Sequence, residues 1–350
     1  MNKNIVVHGK GGIRVEVVLH SKSSVTGKEL ITFLVNHPRL VHSEELKHRQ
    51  FSFSAASSRA IPFDKMLKQL SGKPVSFGKN QSGMQAGEDH NELINGMYTP
   101  DEWWDLAKLS AINFSRGFAD AGYHKQVSGR LSEPFQMIRV LVSATETDNF
   151  YWLRDDKAAD PTLAEQARCM REAHKLSTPQ TLNPGEWHLP FVEYYNEVIG
   201  EADDGNSILG PQQFYIGDML VGEEAQELTL DEAIKVSCAR SAATSFRNEN
   251  YGLEKSLQVY DRLVNGDKVH AGALEHCGTP MAKRVENLGT HMSRKDWVNI
   301  PNDPKSWQDG ISHMDKDRNL WSGNFQGFIQ HRKLVPNECY KALDTRNTTV

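Results

Sequence analysis

Residues 47–59 read KHRQFSFSAASSR. Lys47, His48 and Arg49 are followed by serines at 52, 54, 57 and 58, then by Arg59. A chain that leaves a helix end into small residues brings backbone amides and hydroxyls close to a ligand. Arginine adds a planar fork suited to a phosphate or to the edge of a pyrimidine. On the residues alone, an anion or nucleotide pocket and a solvated basic loop both fit.

The flanks predict a mixed chain. ELITFLVN, residues 29–36, is apolar and β-branched and predicts a strand; HPRLVHSEELKHR then turns towards a helical pattern. NIVVH and IRVEVVLH flank GKGG and predict a hairpin. GKGG is no phosphate loop, because no helix follows and the GK[ST] ending is absent. Glycines and serines across 65–98 predict a long surface loop or lid. Thr99, Pro100 and Glu102 form a capping box that opens a helix. Trp103, Leu106, Ala107, Ser110 and Phe114 share one face of it, which predicts Trp103 in the core rather than stacked on a base.

Further on, KQVSGRL predicts a short helix ending before Pro134, and QMIRVLVSAT a buried strand. Asp160-Pro161 opens a helix with Leu163, Ala167 and Met170 at helical spacing. Thr229 and Glu232 make a second capping box, for a helix to about Ala243, and LEKSLQVYDRLVN is amphipathic and stopped by Gly266. GEADDGNSILG, with Asp203 and Asp204, predicts a loop or connector, and 278–325 is polar and predicts irregular structure. Arg130 before Pro134 and Arg154 after NFYWL stand near apolar strands, where an arginine can be structural.

Composition narrows the class. With 350 residues, 38% hydrophobic and 24% charged, the chain suits a globular protein of one large or two ordinary domains. No apolar run approaches the roughly 20 residues that span a bilayer, so no membrane is expected. The start, MNKNIVVHGKGG, is too short and polar for a secretory signal. A net charge of −5 argues against duplex binding, so no stable nucleic-acid partner is expected. Cysteines at 169, 238, 277 and 339 have no CxxC spacing and predict reduced thiols in a cytoplasmic protein. His276, Cys277 and His291 are poor candidates for a metal cluster, so no metal site is expected. Walker, GxSxG, HExxH and dinucleotide glycine motifs are absent.

KHRQFSFSAASSR resembles the signature of the flavin-dependent thymidylate synthases, the ThyX family: RHR, then Ser and Arg at fixed spacing. Lys47-His48-Arg49 takes the RHR place, Ser57 the serine and Arg59 the arginine. TFLVNHPRLVHSEEL is similar to the strand that leads into that signature. Arg130, Asn149 and Arg154 fall where the family has a phosphate- or base-binding Arg, a flavin-binding Asn and a nucleotide-binding Arg. The order is rearranged: SCARSAATSF resembles the family's early helix, and HAGALEH, from His270 to Glu275 and His276, its flavin motif, yet both come late. A circular permutation is inferred, as in ThyX-like proteins of bacteriophages. Departures are Lys47 for the first Arg, Ser54-Ala55 for an Asn-Glu pair, Glu44 for a common Gln and Ala158 for a frequent His.

The resemblance implies an α+β fold with a central, largely antiparallel sheet flanked by helices. It implies one catalytic domain, with 1–195 as the nucleotide part, 196–228 as connector and 229–350 as the permuted flavin part with a polar extension. It implies FAD as cofactor, NADPH and methylenetetrahydrofolate as co-substrates, dUMP or a related pyrimidine deoxynucleotide as substrate, and a homotetramer in the cytoplasm, the host's if phage-encoded. Ser57, Arg59 and Arg154 take the catalytic roles. Glu44, Lys47, Ser58 and Arg130 join them in binding substrate. His48, Arg49, Ser54, Asn149, His270 and Glu275 contact the flavin. Two rivals stand: the same fold making 5-hydroxymethyl-dUMP or acting on dCMP for modified DNA, and a nucleotide- or nucleic-acid-binding protein without catalysis.

Overall fold

The computed structural model describes residues 5–57, 62–201, 207–217, 225–266, 268–282 and 307–339. Ser58, Arg59, Asp203, Asp204 and His291 lie outside the described residues. The chain divides into two compact units. The first holds Met1–His20, Ile31–Pro179 and Thr244–Asn248; the second holds Ser21–Leu30, Gln180–Ala243 and Glu249–Val350. Both units are α+β, with helices around antiparallel sheets.

β1 (Val6–His8), β2 (Arg14–Ser23), β3 (Glu29–Pro38), β4 (Ser52–Ala55) and β5 (Met137–Ala144) form a sheet in the order β1-β2-β3-β5-β4, all of it in the first unit except Ser21–Ser23 and Glu29–Leu30. GKGG is the turn of the β1–β2 hairpin, with Gly11 and Gly12 at positive φ, where a Cβ is strained. β3 pairs antiparallel with β5 from Ile31↔Ala144 to Pro38↔Met137, and β4 pairs with the other edge of β5. The link from β3 to β4 carries α1 (His42–Glu45) and the KHR triplet. β4 lies inside the signature, so the KHR triplet precedes its Ser52↔Ser143 end and Ser57 follows its Ala55↔Val140 end. Val15, Ile31, Phe33, Val35, Ile138, Val140 and Val142 pack with Phe51, Phe150, Ala167 and Met170. Each large side chain here contributes roughly 2 kcal/mol by leaving water.

Helices α2 (Phe63–Leu67), α3 (Pro100–Asp120), α4 (Lys125–Ser128), α5 (Asp148–Arg154) and α6 (Pro161–Leu176) complete this unit. NFYWL is part of α5 and not a strand: Phe150 and Tyr151 turn inward while Trp152 stays exposed. Asp160 caps α6 through Thr162 N and Leu163 N, and the helix buries Leu163, Ala167 and Met170. Residues 68–98 contain no strand or helix and are largely exposed, as a long surface loop should be.

The Thr99–Glu102 capping box is formed, but the expectation for Trp103 fails. Trp103 and Leu106 are 41% and 39% exposed, and Phe114 is 68% exposed. The helix packs one residue further round, through Trp104, Ala111 and Ile112, against Met66, Leu67, Leu70 and Phe135. Trp104 also donates its indole N–H to Gly72 O at 3.1 Å. A partner surface that offers an aromatic shelf and a carbonyl selects the side chain that can use both.

In the second unit, β6 (Gln180–Leu182) pairs parallel with Ser21–Ser23 of β2. β7 (Glu193–Glu201), β8 (Ser207–Ile216) and β9 (Gln226–Leu228) form an antiparallel meander across most of the span expected as a connector. Tyr194, Phe214 and Ile216 turn inward there, enough apolar alternation to hold a sheet in an acidic stretch. α7 (Leu230–Ala243) is capped by Thr229 and Glu232, and α8 (Leu253–Val264) follows Gly252.

β10 (Gly278–Pro280) pairs with β14 (Phe328–Gln330); β11 (His313–Met314), β12 (Leu320–Ser322) and β13 (Phe325–Gln326) make short antiparallel pairs. The described part of the region expected to be irregular thus contains short strands, with Phe325 and Phe328 packed on Leu30 and Leu182. All four cysteines are free thiols. No helix among the described residues is long and apolar enough to cross a membrane.

Candidate functional site

The chain leaves β3 at Pro38, makes one 3-10 turn at Arg39–Val41 and enters α1. Four residues cannot hold a helix unaided. Glu45 holds this one from inside. Its Oε2 lies 3.1 Å from both His37 Nε2 and His42 Nδ1, and Gln166 donates to Oε1. Burial alone would raise the Glu45 pKa, but His37 and His42 outweigh it by charge and hydrogen bonding and bring it down to about 2. Glu44, on the same helix, is partly buried.

Next in the chain, Lys47 and Arg49 are exposed and His48 is half-buried. The His48 ring stands edge-on to Phe150 at 4.7 Å between centroids. Arg154 Nε donates to His48 Nε2 at 3.0 Å. A guanidinium only donates, so this nitrogen carries no proton and the neutral ring bears its hydrogen on Nδ1. Burial first, and then the Arg154 charge, push the His48 pKa below its ordinary value, while Glu45 opposes them. Asn149 is exposed in the first turn of α5, five residues before Arg154. Ser54 lies on β4 opposite Leu141, partly buried. The structure thus brings Arg154 onto His48, between the exposed Lys47 and Arg49 in sequence, donors of the kind that fit an anionic or carbonyl-bearing ligand such as a nucleotide or a flavin.

Ser57 occupies a second place in the same unit. It lines a cleft with Arg39, Ala56, Met66, Gln69, Gln136, Met137 and Arg247. Its amide donates to Ser245 O at 3.2 Å. Arg247 donates to Gln69 and to Met137 O, but its buried Nε has no partner. Burial, and then the charges of Arg139 and Arg39, lower the Arg247 pKa. The residue has φ +55°, a left-handed backbone that arginine adopts only under constraint. Arg130 is exposed and pairs with Glu133 at 3.1 Å, and the same Glu133 oxygen lies 3.3 Å from Arg39. Arg39 and Arg247 line the cleft with Ser57, Arg139 acts by charge on Arg247, and Arg130 lines a separate pocket with Phe118 and Leu131, so the cleft is locally positive in a chain of negative net charge.

Arg39, Arg139 and Arg247 were not foreseen from sequence. Arg39 carried a weak signal, since it precedes the KHR triplet in HPRLV. Arg247 carried none: it meets Gln69 across 178 residues of chain.

The remaining expected flavin contacts, His270 and Glu275, belong to the second unit. HAGALEH forms a 3-10 helix over Ala271–His276. His270 is exposed. Glu275 is paired with Arg332, which also bonds Glu338 at 2.7 Å. His276 is fully buried, and desolvation lowers its pKa to about 3.

No family model matches the chain, and no curated protein matches it. Among solved structures, it is similar to one described as a UMP/dUMP methylase, PolB from Streptomyces cacaoi, bound with 5-Br UMP. The likeness has 14% identity and a TM-score of 0.37, over 47% of this chain and 89% of that one.

Proposed function

We propose that this chain is a flavin-dependent thymidylate synthase that methylates dUMP at C5 to give dTMP, with methylenetetrahydrofolate and NADPH as co-substrates. The observation that carries the proposal is the hydrogen bond from Arg154 to His48 at 3.0 Å, across 106 residues of sequence. It joins the two arms of the resemblance, the KHR triplet and the late arginine of NFYWLR. The arginines around Ser57 add the positive surface that a 5′-phosphate needs.

FAD, when bound, supplies the redox chemistry. The chain's part is placement. Ser57 and Arg130, with Arg39 and Arg247, hold the phosphate. Arg154 polarises the pyrimidine, and neutral His48 fixes the direction of its guanidinium. Arg49, Asn149 and Ser54 face the flavin in this proposal, and Glu44 and Lys47 the nucleotide.

The test is to purify the chain with added FAD and follow release of the C5 hydrogen from dUMP and from dCMP. Methylenetetrahydrofolate and NADPH are present, and the product is weighed. A yellow protein that releases the hydrogen from dUMP and yields dTMP is expected. A hydroxymethylated product, or turnover of dCMP, would shift the reading to modified-base synthesis, which the Ser54-Ala55 and Glu44 departures favour. A protein that stays colourless with added FAD and binds DNA in a salt-dependent way would sink the enzymatic reading.

A further inference from the structure

His37, His42 and Glu45 follow one another in sequence as H-x4-H-x2-E, and β3 and α1 fold them onto one point. The side chains of His37 and Glu45 are sealed from solvent, and that of His42 is 14% exposed. Both rings aim a nitrogen at the same Glu45 oxygen, each at 3.1 Å.

His37 presents a hydrogen-bonding conflict. Its Nδ1 lies 3.0 Å from Pro38 O. A carbonyl only accepts, so Nδ1 must carry the hydrogen. In a neutral ring, Nε2 then offers a lone pair to a carboxylate oxygen that also only accepts. Either an extra proton or a cation must lie between them. A proton would make a buried imidazolium–carboxylate pair, normally 2.7–2.9 Å long. Ligand atoms around tetrahedral zinc lie roughly 3.3–3.4 Å apart, given metal–ligand bonds of about 2.0–2.2 Å. The observed 3.1 Å lies between the two, so the choice falls to the surroundings.

The surroundings favour the metal. Histidine ligands usually give their other N–H to a carbonyl, as His37 does to Pro38. Ligating carboxylates are in turn hydrogen-bonded, as Glu45 is by Gln166. Two imidazoles and one carboxylate suit zinc-class ions rather than calcium or magnesium.

We infer that His37 Nε2, His42 Nδ1 and Glu45 together bind one divalent ion of the zinc class, pinning α1 to β3 beside the KHR triplet. The site is independent of the proposed reaction. It anchors the short helix through a metal rather than through helix length.

The test uses the untagged full-length chain, loaded with zinc chloride, freed of excess metal by buffer exchange and analysed for metal. One zinc per chain is expected, and a chelator should lower the melting temperature by about 5–10 °C. His42→Ala, at the partly exposed ligand, should fold and retain less than about a tenth of the zinc. A zinc-free wild-type chain whose melting ignores chelator would overturn the inference and leave the protonated His37. Full zinc retention in His42→Ala would overturn it equally.

Discussion

In residues 47–49 the charged ends of Lys47 and Arg49 face solvent, and His48 leans on Arg154. In residues 270–276 only His270 and Gly272 are exposed, Glu275 is held by Arg332, and His276 is sealed. Both segments resemble family motifs, yet the first presents Lys47 and Arg49, while the second presents His270 alone and ties Glu275 to Arg332. A motif match tells which side chains are present; burial and partners tell which of them are available. Four experiments bear on the contrast.

The largest effect should be acid loss of the second unit. His276 is held near 3 and His331 near 4, in both cases by burial. Each would take up a proton on unfolding at its ordinary pKa of 6.5. Stability is therefore complete above pH 6.5 and falls as pH drops towards these folded values, by on the order of 4 kcal/mol for His276. Urea unfolding against pH, with hydrogen exchange to locate the opening segments, should find the second unit yielding first. His276→Gln should flatten the profile; an unchanged slope would break the contrast.

Arg154→Ala comes next, with C5 hydrogen release falling by about 100-fold, some 3 kcal/mol, and little change in melting temperature. Equal losses of activity and melting temperature would mean that Arg154 is structural. Arg247→Ala should raise the nucleotide KM by roughly 10- to 30-fold and spare kcat, as expected for a phosphate contact. A fall in kcat at unchanged KM would remove Arg247 from the phosphate site. The smallest effect should be Glu275→Gln. It breaks the pair with Arg332 and should cost about 1 kcal/mol in thermal unfolding, with flavin content unchanged within about twofold. Loss of flavin would show that Glu275 is available after all.

Much of the fold was legible because its signals are local. The Thr99–Glu102 and Thr229–Glu232 boxes each satisfy their helix within three residues, and QMIRVLVSAT announces a strand buried on both faces. Misreadings came where distant surfaces decide. Trp104 instead of Trp103 goes inward because Phe135 and Gly72 wait for it. NFYWL winds as a helix because Phe150 and Tyr151 meet the sheet on one side only. The meander of β7 to β9 hid in an acidic stretch whose inward residues are few. Of the candidate site, the KHR triplet, Ser57, Arg130 and Arg154 were singled out by the family resemblance. The arginine cluster was not, because Arg247 reaches Gln69 from 178 residues away and no short window contains both.

The pairing of β3 with β5 has a consequence in time. The KHR link hangs between β3, which lies between β2 and β5, and β4, which pairs with β5 alone, with Ile31 opposite Ala144 and Ser52 opposite Ser143. Closing so long a loop must precede any reward from the contacts it makes. During synthesis the signature leaves the ribosome long before the strand that shapes it. Folding of the first unit should therefore be slow and set by topology, and the wall that holds Arg154 against His48 should be among the last parts of it to form.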